Sequence, residues 1–599
     1  MSRTFVNGAA MAIGCLLLVS MTTSPSKVHP IPARSSAHVG VLPTLPRIVP
    51  APPGREPVYA KHGMVVSSSA IASEIGRDIL KQGGNAIDAA VATAFAMAVT
   101  WPSAGNIGGG GFILYVDKNG KATSFDFREK APLTASETMF LDSNGKLISN
   151  LNHRGILSVG TPGTVAGLFL AHQRYGKLPW KKLVDPAVKL AAKGFVFTHA
   201  LMDDSEWKKS TWTKIPSTAH VMYRNDSIVI GQGENWKQPE LASTLKRIRD
   251  KGHDGFYKGE TAKRLAQFMS SQGGLITEKD LAEYQAIERK PIEGNYRGNI
   301  VYSMPPPSSG GVALVEMLNI LEGYDLKQVG YASADYIHLL KAAMQRAFAD
   351  RAEYMGDPDF NPELPVARLT SKQYAAQLKQ TISFDKASPS DSSRFGQIYD
   401  GGNNTTHFSV VDNDGNAVAL TYTLENSYGS QIVADGLGFF LNDEMGDFNP
   451  MPGVTTNDGQ IGTKPNLIRP GKRMLSSMTP TILVKDGKPL MVIGTPGGRT
   501  IINSVLQVIL NVIDHQMNIA EAVEAPRFHH QWLPDCIYLE SLTVNKNTQE
   551  ELTRRGNKLK ELPPTWYQGA AMGIYIDRKS GYIMGGVDSR SPDAGGAGY

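Results

Sequence analysis

The chain has 599 residues, 41% of them hydrophobic and 20% charged, with a formal net charge of +5 from 61 Lys+Arg against 56 Asp+Glu. These values describe an ordinary soluble globular chain with ample material for a large core, and so small and scattered a basic excess excludes any charge-based argument for nucleic acid. Cys15 and Cys536 are the only two cysteines, too few for a disulfide scaffold or a zinc framework.

In chain order, residues 1–26 hold Arg3, the apolar run GAAMAIGCLLLVSM and the polar TTSPS. Fourteen apolar residues are short of the about 20 that a membrane helix needs, and fit the apolar core of a secretory signal, so the expectation is export to the periplasm or beyond. Ala12-Ile13-Gly14-Cys15 weakly resembles a lipoprotein cleavage site, which leaves membrane attachment open. The longest apolar stretch follows Cys15 instead of preceding it, which argues against lipidation. Residues 27–57 carry too much proline for helix or sheet (Pro30, Pro32, Pro43, Pro46, Pro50, Pro52, Pro53) and are predicted to be an extended linker.

From Val58 the text is globular. SSAIASEIGRDILKQGG has helical spacing and ends at Gly83-Gly84, the signature of a left-handed cap. NAIDAAVATAFAMAVTWP is apolar nearly all round and is predicted to be a buried helix. The glycines Gly108 to Gly111 that follow are not a phosphate loop, since no Gly-Lys-Ser/Thr follows and a strand comes next; they predict a connection where backbones approach closely. GFILYVDKNGKATSFDF is a hairpin turning at Asn119-Gly120, with Arg128 just past its second strand. Residues 161–400 are mostly amphipathic helix, with MPPPSSGG at 304–311. Ser308 and Ser309 could there be a nucleophile, but the Gly-x-Ser-x-Gly elbow is absent, which favours a structural role.

Residues 403–430, NNTTHFSVVDNDGNAVALTYTLENSYGS, form the centre of the chain: two strands rich in Val, Thr, Tyr and Phe around a polar Asp-Gly turn. A turn tip between Asp414 and Gly415 predicts Thr405 opposite Leu424 and beside Thr423 (405 + 424 = 829). A threonine hydroxyl needs a base to act as a nucleophile, and one source is the residue's own α-amine, whose pKa of about 8 is close to working pH. Thr405 would gain that amine only by a cut after Asn404, in the polar run Asp400 to Asn404; an ordinary exposed hairpin is the competing reading. After it, TPTILVKDGKPLMVIGTPGG predicts two strands joined by Asp486-Gly487. Gly497-Gly498 then leads into the helix RTIINSVLQVILNVID, where backbone amides could cradle an oxyanion or could serve only as a connection. His529 and His530 are adjacent and are not expected to share a metal.

The string NNTTHFSVVDNDGNAVALTYTLENSYG resembles the start of the small subunit of γ-glutamyltranspeptidases, in the N-terminal-nucleophile hydrolase superfamily. GGNAIDAAVA, AGNIGGGGF, DFREKAP, GTPGTVAG, MPPPSSGG, LNDEMGDF, LSSMTPTI, GTPGGRTII and RFHHQWLP match in the same order from about Val58 to Tyr599. The resemblance implies an αββα four-layer sandwich built jointly by two autocleaved chains, a large one of 58–404 and a small one of 405–599. It implies Thr405 as nucleophile, Thr423 as its orienting hydroxyl, and Gly497 and Gly498 as the oxyanion hole. Arg128, Ser476 and Ser477 would hold the α-carboxylate of a γ-glutamyl group, and Glu425, Glu444 and Asp447 its ammonium. The implied substrates are small molecules: glutathione and related γ-glutamyl compounds as donors, with water, amino acids or dipeptides as acceptors. No metal or organic cofactor is expected. Two departures stand out: Glu425 occupies a position where many members have Asn, and the Gly/Pro/Asn-rich PGVTTNDGQIGTKPNLIRPGK that lies between Asp447 and Ser476, long enough for a lid, has no aromatic residue. A related glutaryl- or cephalosporin-type acylase is the alternative enzyme, and an unprocessed γ-glutamyl peptide binding protein the alternative without catalysis.

Overall fold

The computed structural model describes residues 55–390, 405–457 and 461–599. The expected signal at 1–26, the linker up to residue 54 and Asn404 lie outside the described residues. Among those described, no helix is long and apolar enough to cross a membrane.

The architecture follows from two kinds of segment in the sequence. The strands of the two large sheets are β1 (Val58–Ala60), β2 (Met64–Ser67), β3 (Gly110–Val116), β4 (Ala122–Asp126), β5 (Ile287–Arg289), β6 (Ile292–Tyr296), β7 (Asn299–Ser303), β8 (Thr405–Val411), β9 (Ala417–Thr423), β10 (Thr481–Lys485), β11 (Lys488–Ile493), β12 (Met572–Asp577), β13 (Tyr582–Val587) and β14 (Gly595–Gly598). They make two seven-stranded sheets, ordered β14-β2-β8-β9-β3-β4-β5 and β1-β13-β12-β11-β10-β7-β6. The helices that matter for the site are α1 (Ala70–Lys81), α2 (Ala86–Thr100), α3 (Thr164–Tyr175), α4 (Gly310–Leu321), α5 (Ala334–Tyr354) and α6 (Thr500–Ile513).

Side-chain alternation sorts these into layers. Phe408, Val410, Val418 and Leu420 of β8 and β9 pack with α1, α2 and α3. Val411, Ala417 and Ala419 point the other way, into a thin core with Ile482, Val484 and Val492 of the second sheet. The far face of that sheet, through Leu483, Met491 and Ile493, meets α4, α5 and α6. The result is the expected helix-sheet-sheet-helix sandwich, with Arg128 and the 405–424 hairpin in one fold. Helix α2 is buried at all of its 15 positions, as its all-round apolar sequence requires, and Gly83 takes the left-handed φ of +86° that closes α1.

One register prediction fails. Thr405 pairs with Thr423 itself, and Val411 with Ala417. The turn is a three-residue loop, Asn413 to Gly415, closed by Asp412 N–H donating to Asn416 O at 3.0 Å, with Gly415 at φ +90°. The side chain of Asp412 accepts from Asp414 N at 3.0 Å and Asn416 N at 2.9 Å, and this Asx geometry favours the longer loop over a two-residue turn. The shift places the two hydroxyls directly opposite each other.

The glycines before β3 act as close approaches, as expected. A Cβ on Gly109 would stand 2.0 Å from Thr423 O, and one on Gly108 2.2 Å from Phe440 O. Asn106 completes that contact: its Nδ2 donates to Thr423 O at 2.9 Å while its Oδ1 accepts from Gly109 N at 2.9 Å. Gly109→Ala is therefore expected to lower stability by about 1–3 kcal/mol, the usual cost of overpacking, seen as a lower urea midpoint at unchanged slope.

Candidate active site

Period-2 alternation along β8 sends Thr405, His407 and Ser409 toward the second sheet. Thr405 is 8% exposed, and its Oγ1 donates to Thr423 Oγ1 at 3.2 Å. Thr423 Oγ1 in turn accepts from Glu425 N at 2.8 Å, which fixes its lone pairs. Glu425 holds φ at +79°, a conformation uncommon for a residue with a Cβ, and this turns the chain sharply at the end of β9.

A small pocket opens beside the two threonines, lined also by Gly498. Arg128, Ser476 and Ser477 form part of its wall, and Glu425, Glu444 and Asp447 another. Gly497 and Gly498 take φ of +132° and +56°, and among the described residues neither amide N–H donates to another protein group. Their carbonyls accept from the first turn of α6, Thr500 N at 3.0 Å and Ile501 N at 3.2 Å.

The expected separation of a cationic end from an anionic end is not what the structure has. Arg128 pairs with Glu444 at 2.5 Å and with Asp447, and its Nε donates to Met474 O at 3.3 Å. Burial opposes its charge, but Glu444, Asp447 and Glu129 outweigh burial and keep its pKa above the ordinary value. Burial pushes the Glu129 carboxyl up to about 8 and Glu444 well above the carboxylate range, each against the pull of Arg128. The acids and the arginine close on one another because a buried charge is stable only when paired.

The remaining acid, Glu425, belongs to a second group. Asn426 Nδ2 donates to Glu425 and, at 2.7 Å, to Asp443 Oδ2, while His153 Nδ1 lies 3.4 Å from Glu425 Oε2. Ligand atoms of His153, Glu425 and Asp443 come within 4.8 Å of one another, a spacing a cation could use, but the Asn426 amide already bridges the two carboxylates. Burial and the neighbouring Glu425 raise Asp443 well above its ordinary pKa.

Ser476 and Ser477 are held by the segment at 304–311. Ser309 donates to Ser476 O at 2.7 Å, and Ser308 to Met478 O at 2.6 Å, which is the structural role expected for both. The stretch between Asp447 and Ser476 is not free where it is described: Asn466 Nδ2 donates to Asp447 O at 2.7 Å and its Oδ1 accepts from Leu475 N at 2.9 Å.

The gamma-glutamyltranspeptidase family model matches residues 72–598. The chain belongs to that family. It is 48% identical over 547 residues to the glutathione hydrolase proenzyme of Escherichia coli K12, covering 91% of this chain and 93% of that protein. Among solved structures of the fold, the cephalosporin acylase from Bacillus halodurans superposes with a TM-score of 0.80 at 27% identity, over 93% of this chain and 99% of that one. The Helicobacter pylori gamma-glutamyltranspeptidase superposes with a TM-score of 0.54 at 41% identity, over 58% of this chain and 99% of that one.

Two residues lining this family member's pocket, and one buried in its central hairpin, carry no expectation from sequence. Arg351, in the last turn of α5, donates from Nε to Ser309 Oγ at 2.8 Å and from Nη2 to Ser477 Oγ at 3.0 Å; in the sequence it is one charge among many on an amphipathic helix. Arg499 follows the glycine pair and lines the same pocket, and its position next to Gly498 was the available signal. His407 lies two residues from Thr405 on the same face of β8, where strand period alone could have found it.

His407 is fully buried, with Nδ1 2.7 Å from Thr421 Oγ1 and Nε2 3.1 Å from Ser409 Oγ, and burial lowers its pKa to about 3. An unfolded histidine takes its proton near pH 6.5 and this one only near 3, so between those values the unfolded chain binds more protons and stability falls as pH falls. His407→Gln, which replaces the imidazole with a hydrogen-bonding amide that does not titrate, is expected to flatten this dependence by up to one proton's slope. Unfolding free energies from pH 3 to 7 check it.

Proposed function

We propose that this protein is a γ-glutamyltransferase and glutathione hydrolase. It would cleave the γ-glutamyl amide of glutathione and related compounds through a γ-glutamyl ester on Thr405, and pass the acyl group to water, an amino acid or a dipeptide. The observation that carries this reading is the Thr405 hydroxyl at 3.2 Å from Thr423, in one pocket with Gly498, Arg128 and Asp447.

Maturation comes first. The Thr405 hydroxyl attacks the Asn404 carbonyl, the acyl group shifts from nitrogen to oxygen, and water hydrolyses the ester. This yields a large chain ending at Asn404 and a small chain of 195 residues (599 − 404). The freed α-amine, directly or through water, then takes the proton from Thr405 Oγ1 as that oxygen attacks the γ-carbonyl. The unused amides of Gly497 and Gly498 stabilise the oxyanion, Thr423 orients the nucleophile, and the leaving amine departs with a proton. Export fits the N-terminal 26 residues as a removed signal.

Recognition works by exchange of partners. In the free pocket Arg128 is neutralised by Glu444 and Asp447; a γ-glutamyl head group brings a carboxylate for Arg128, Ser476 and Ser477 and an ammonium for Glu425, Glu444 and Asp447. An acylase acting on a glutaryl amide is the reading that the Bacillus halodurans likeness would suggest. Its substrate has no ammonium, and the three acids would face it uncompensated.

Thr405→Ala is expected to purify as one uncut chain without activity, and Thr405→Ser to cut more slowly and retain reduced turnover. Denaturing gels with N-terminal sequencing of the small chain decide the matter. Cleavage of Thr405→Ala after Asn404 would remove the nucleophile assignment. Arg128→Lys keeps the charge but loses the planar fork, so it should still mature while KM for the donor rises by the equivalent of about 1.5–3 kcal/mol. Unchanged donor kinetics would take Arg128 out of the site.

A further inference from the structure

Residues 383–390, which adopt neither helix nor strand, lie against α5 and are the last described part of the large chain before the cut. Ser390 stands 14 positions before Asn404 (404 − 390). We infer that this segment is a strap, and that the buried polar cluster beneath it is a clasp that positions the approach to the Asn404–Thr405 bond for maturation and takes no part in turnover. The inference rests on the reading of maturation above and adds to it a set of positioning residues: Lys341, Gln345, Ser390 and Asp535.

Three observations carry it. The first is the spacing on α5. His338, Lys341 and Gln345 stand three and four positions apart, which puts them on one face of the helix, and all three are buried although each is polar. Each of them reaches the strap. His338 Nε2 donates to Ser383 O at 2.7 Å, while its Nδ1 accepts from Asn557 Nδ2 at 3.1 Å. Lys341 Nζ donates to Ser388 O at 3.0 Å, and Gln345 Nε2 donates to the same carbonyl at 3.1 Å and to Ser390 Oγ at 2.8 Å.

The second is that the clasp spans the two future chains. Asp535, on the small chain, accepts from Ser390 Oγ at 3.0 Å and pairs with Lys341 at 3.5 Å. Ala387 N donates to Arg555 O at 2.7 Å, and the Arg555 guanidinium pairs with Asp335, in the first turn of α5, at 2.6 Å. The strap is thus joined to the small chain by contacts that a cut after Asn404 does not sever. The third is the kind of contact. Lys341 has three N–H donors and three partners: Ser388 O, Asp535, and Gln345 Oε1 at 3.2 Å. Ser383, Asp385, Lys386 and Pro389 of the strap are exposed, so it is held chiefly by its carbonyls and one hydroxyl. Hydrogen bonds are directional and apolar burial is not, so contacts of this kind fix a position.

Position is what the first step of maturation needs. β8 fixes Thr405, and the carbonyl it attacks belongs to the residue before it, so the direction from which the chain arrives sets the geometry of attack. An anchor on each side of the bond restricts that direction. Among the described residues, the lining of the Thr405 pocket includes no member of the clasp, which separates the clasp from turnover.

The test uses full-length precursor made by cell-free translation. The half-time of cleavage is read on denaturing gels, and kcat/KM with γ-glutamyl-p-nitroanilide is read on the matured fraction. Ser390→Ala loses the hydroxyl that joins Gln345 to Asp535 and is expected to lengthen the half-time by roughly 2- to 10-fold, the range for a lost hydrogen bond. Lys341→Met combined with Asp535→Asn removes both charges together, so that neither is left buried alone, and is expected to lengthen it by roughly 10- to 100-fold. Ser390→Thr keeps the hydroxyl and is expected to cut at the wild-type rate, and kcat/KM per matured enzyme is expected to stay within about twofold of wild type throughout. If the double variant does not fold, Ser390→Ala against Ser390→Thr, at a partly exposed position, decides. Half-times within about twofold of wild type overturn the clasp and leave the γ-glutamyl reading standing. A fall in kcat/KM that matches the slower cut does the same, because it marks a general loosening of the fold. A wild-type chain that is never cut overturns the reading of maturation and the clasp with it.

Discussion

The pairing of Thr405 with Thr423 is the contact on which the rest of the site depends, and it is fixed by the surroundings of the hairpin more than by the hairpin itself. β8 and β9 lie in the middle of their sheet, between β2 and β3, with helices over one face and the second sheet over the other. Every position in both strands is buried, so a slip of one residue would drive Phe408 and Leu420 into the thin inter-sheet layer and the polar row of Thr405, His407 and Ser409 into the apolar helical layer. Register is therefore enforced from both sides, and the hydroxyl pair is preorganised without any ligand.

The second organising constraint is electrostatic. A buried arginine, three acids around it and a further acid pair nearby would be very unstable if left apart, and the structure resolves this by mutual pairing and by raised carboxylate pKa values. Behind Arg128, Asp126 accepts from Arg128 N at 3.0 Å and from Arg289 at 2.8 Å, while Tyr284 donates to Arg128 O at 2.8 Å. That backing holds the guanidinium in one place. On the proposed reading, a zwitterionic head group would replace the internal partners of Arg128 at little cost in reorganisation, because the positions of the charges are already set.

Much of this was legible in the chain. The Gly run after α2 and the turn at Asn119-Gly120 follow from backbone rules, since close approach and left-handed φ leave few other residues possible. The all-round apolar α2 and the alternating strands follow from burial periodicity in the same way. The register of the central hairpin was not legible, because a two-residue and a three-residue loop differ by one position in the same polar string. The choice was made by Asp412, whose carboxylate accepts two backbone N–H groups. Arg351 was invisible for a different reason: a charge on an amphipathic helix has no local mark that distinguishes a solvated side chain from one facing a cavity.

The sequence by itself determined most of the elements, because propensity and periodicity are local properties of the chain, and its ordered motifs implied the layering by resemblance to a family. Only the tertiary structure decided which groups meet. Thr405 and Gly498 are 93 positions apart (498 − 405), and Arg128 and Asp447 are 319 apart, yet each pair lines one pocket. Distances and charge compensation between such residues depend on how two sheets and two helical layers stack. That stacking also decided that Arg128 is neutralised from within while, among the described residues, Arg351 donates to the hydroxyls of Ser309 and Ser477, since a buried charge is governed by what the fold packs against it and not by its neighbours in sequence.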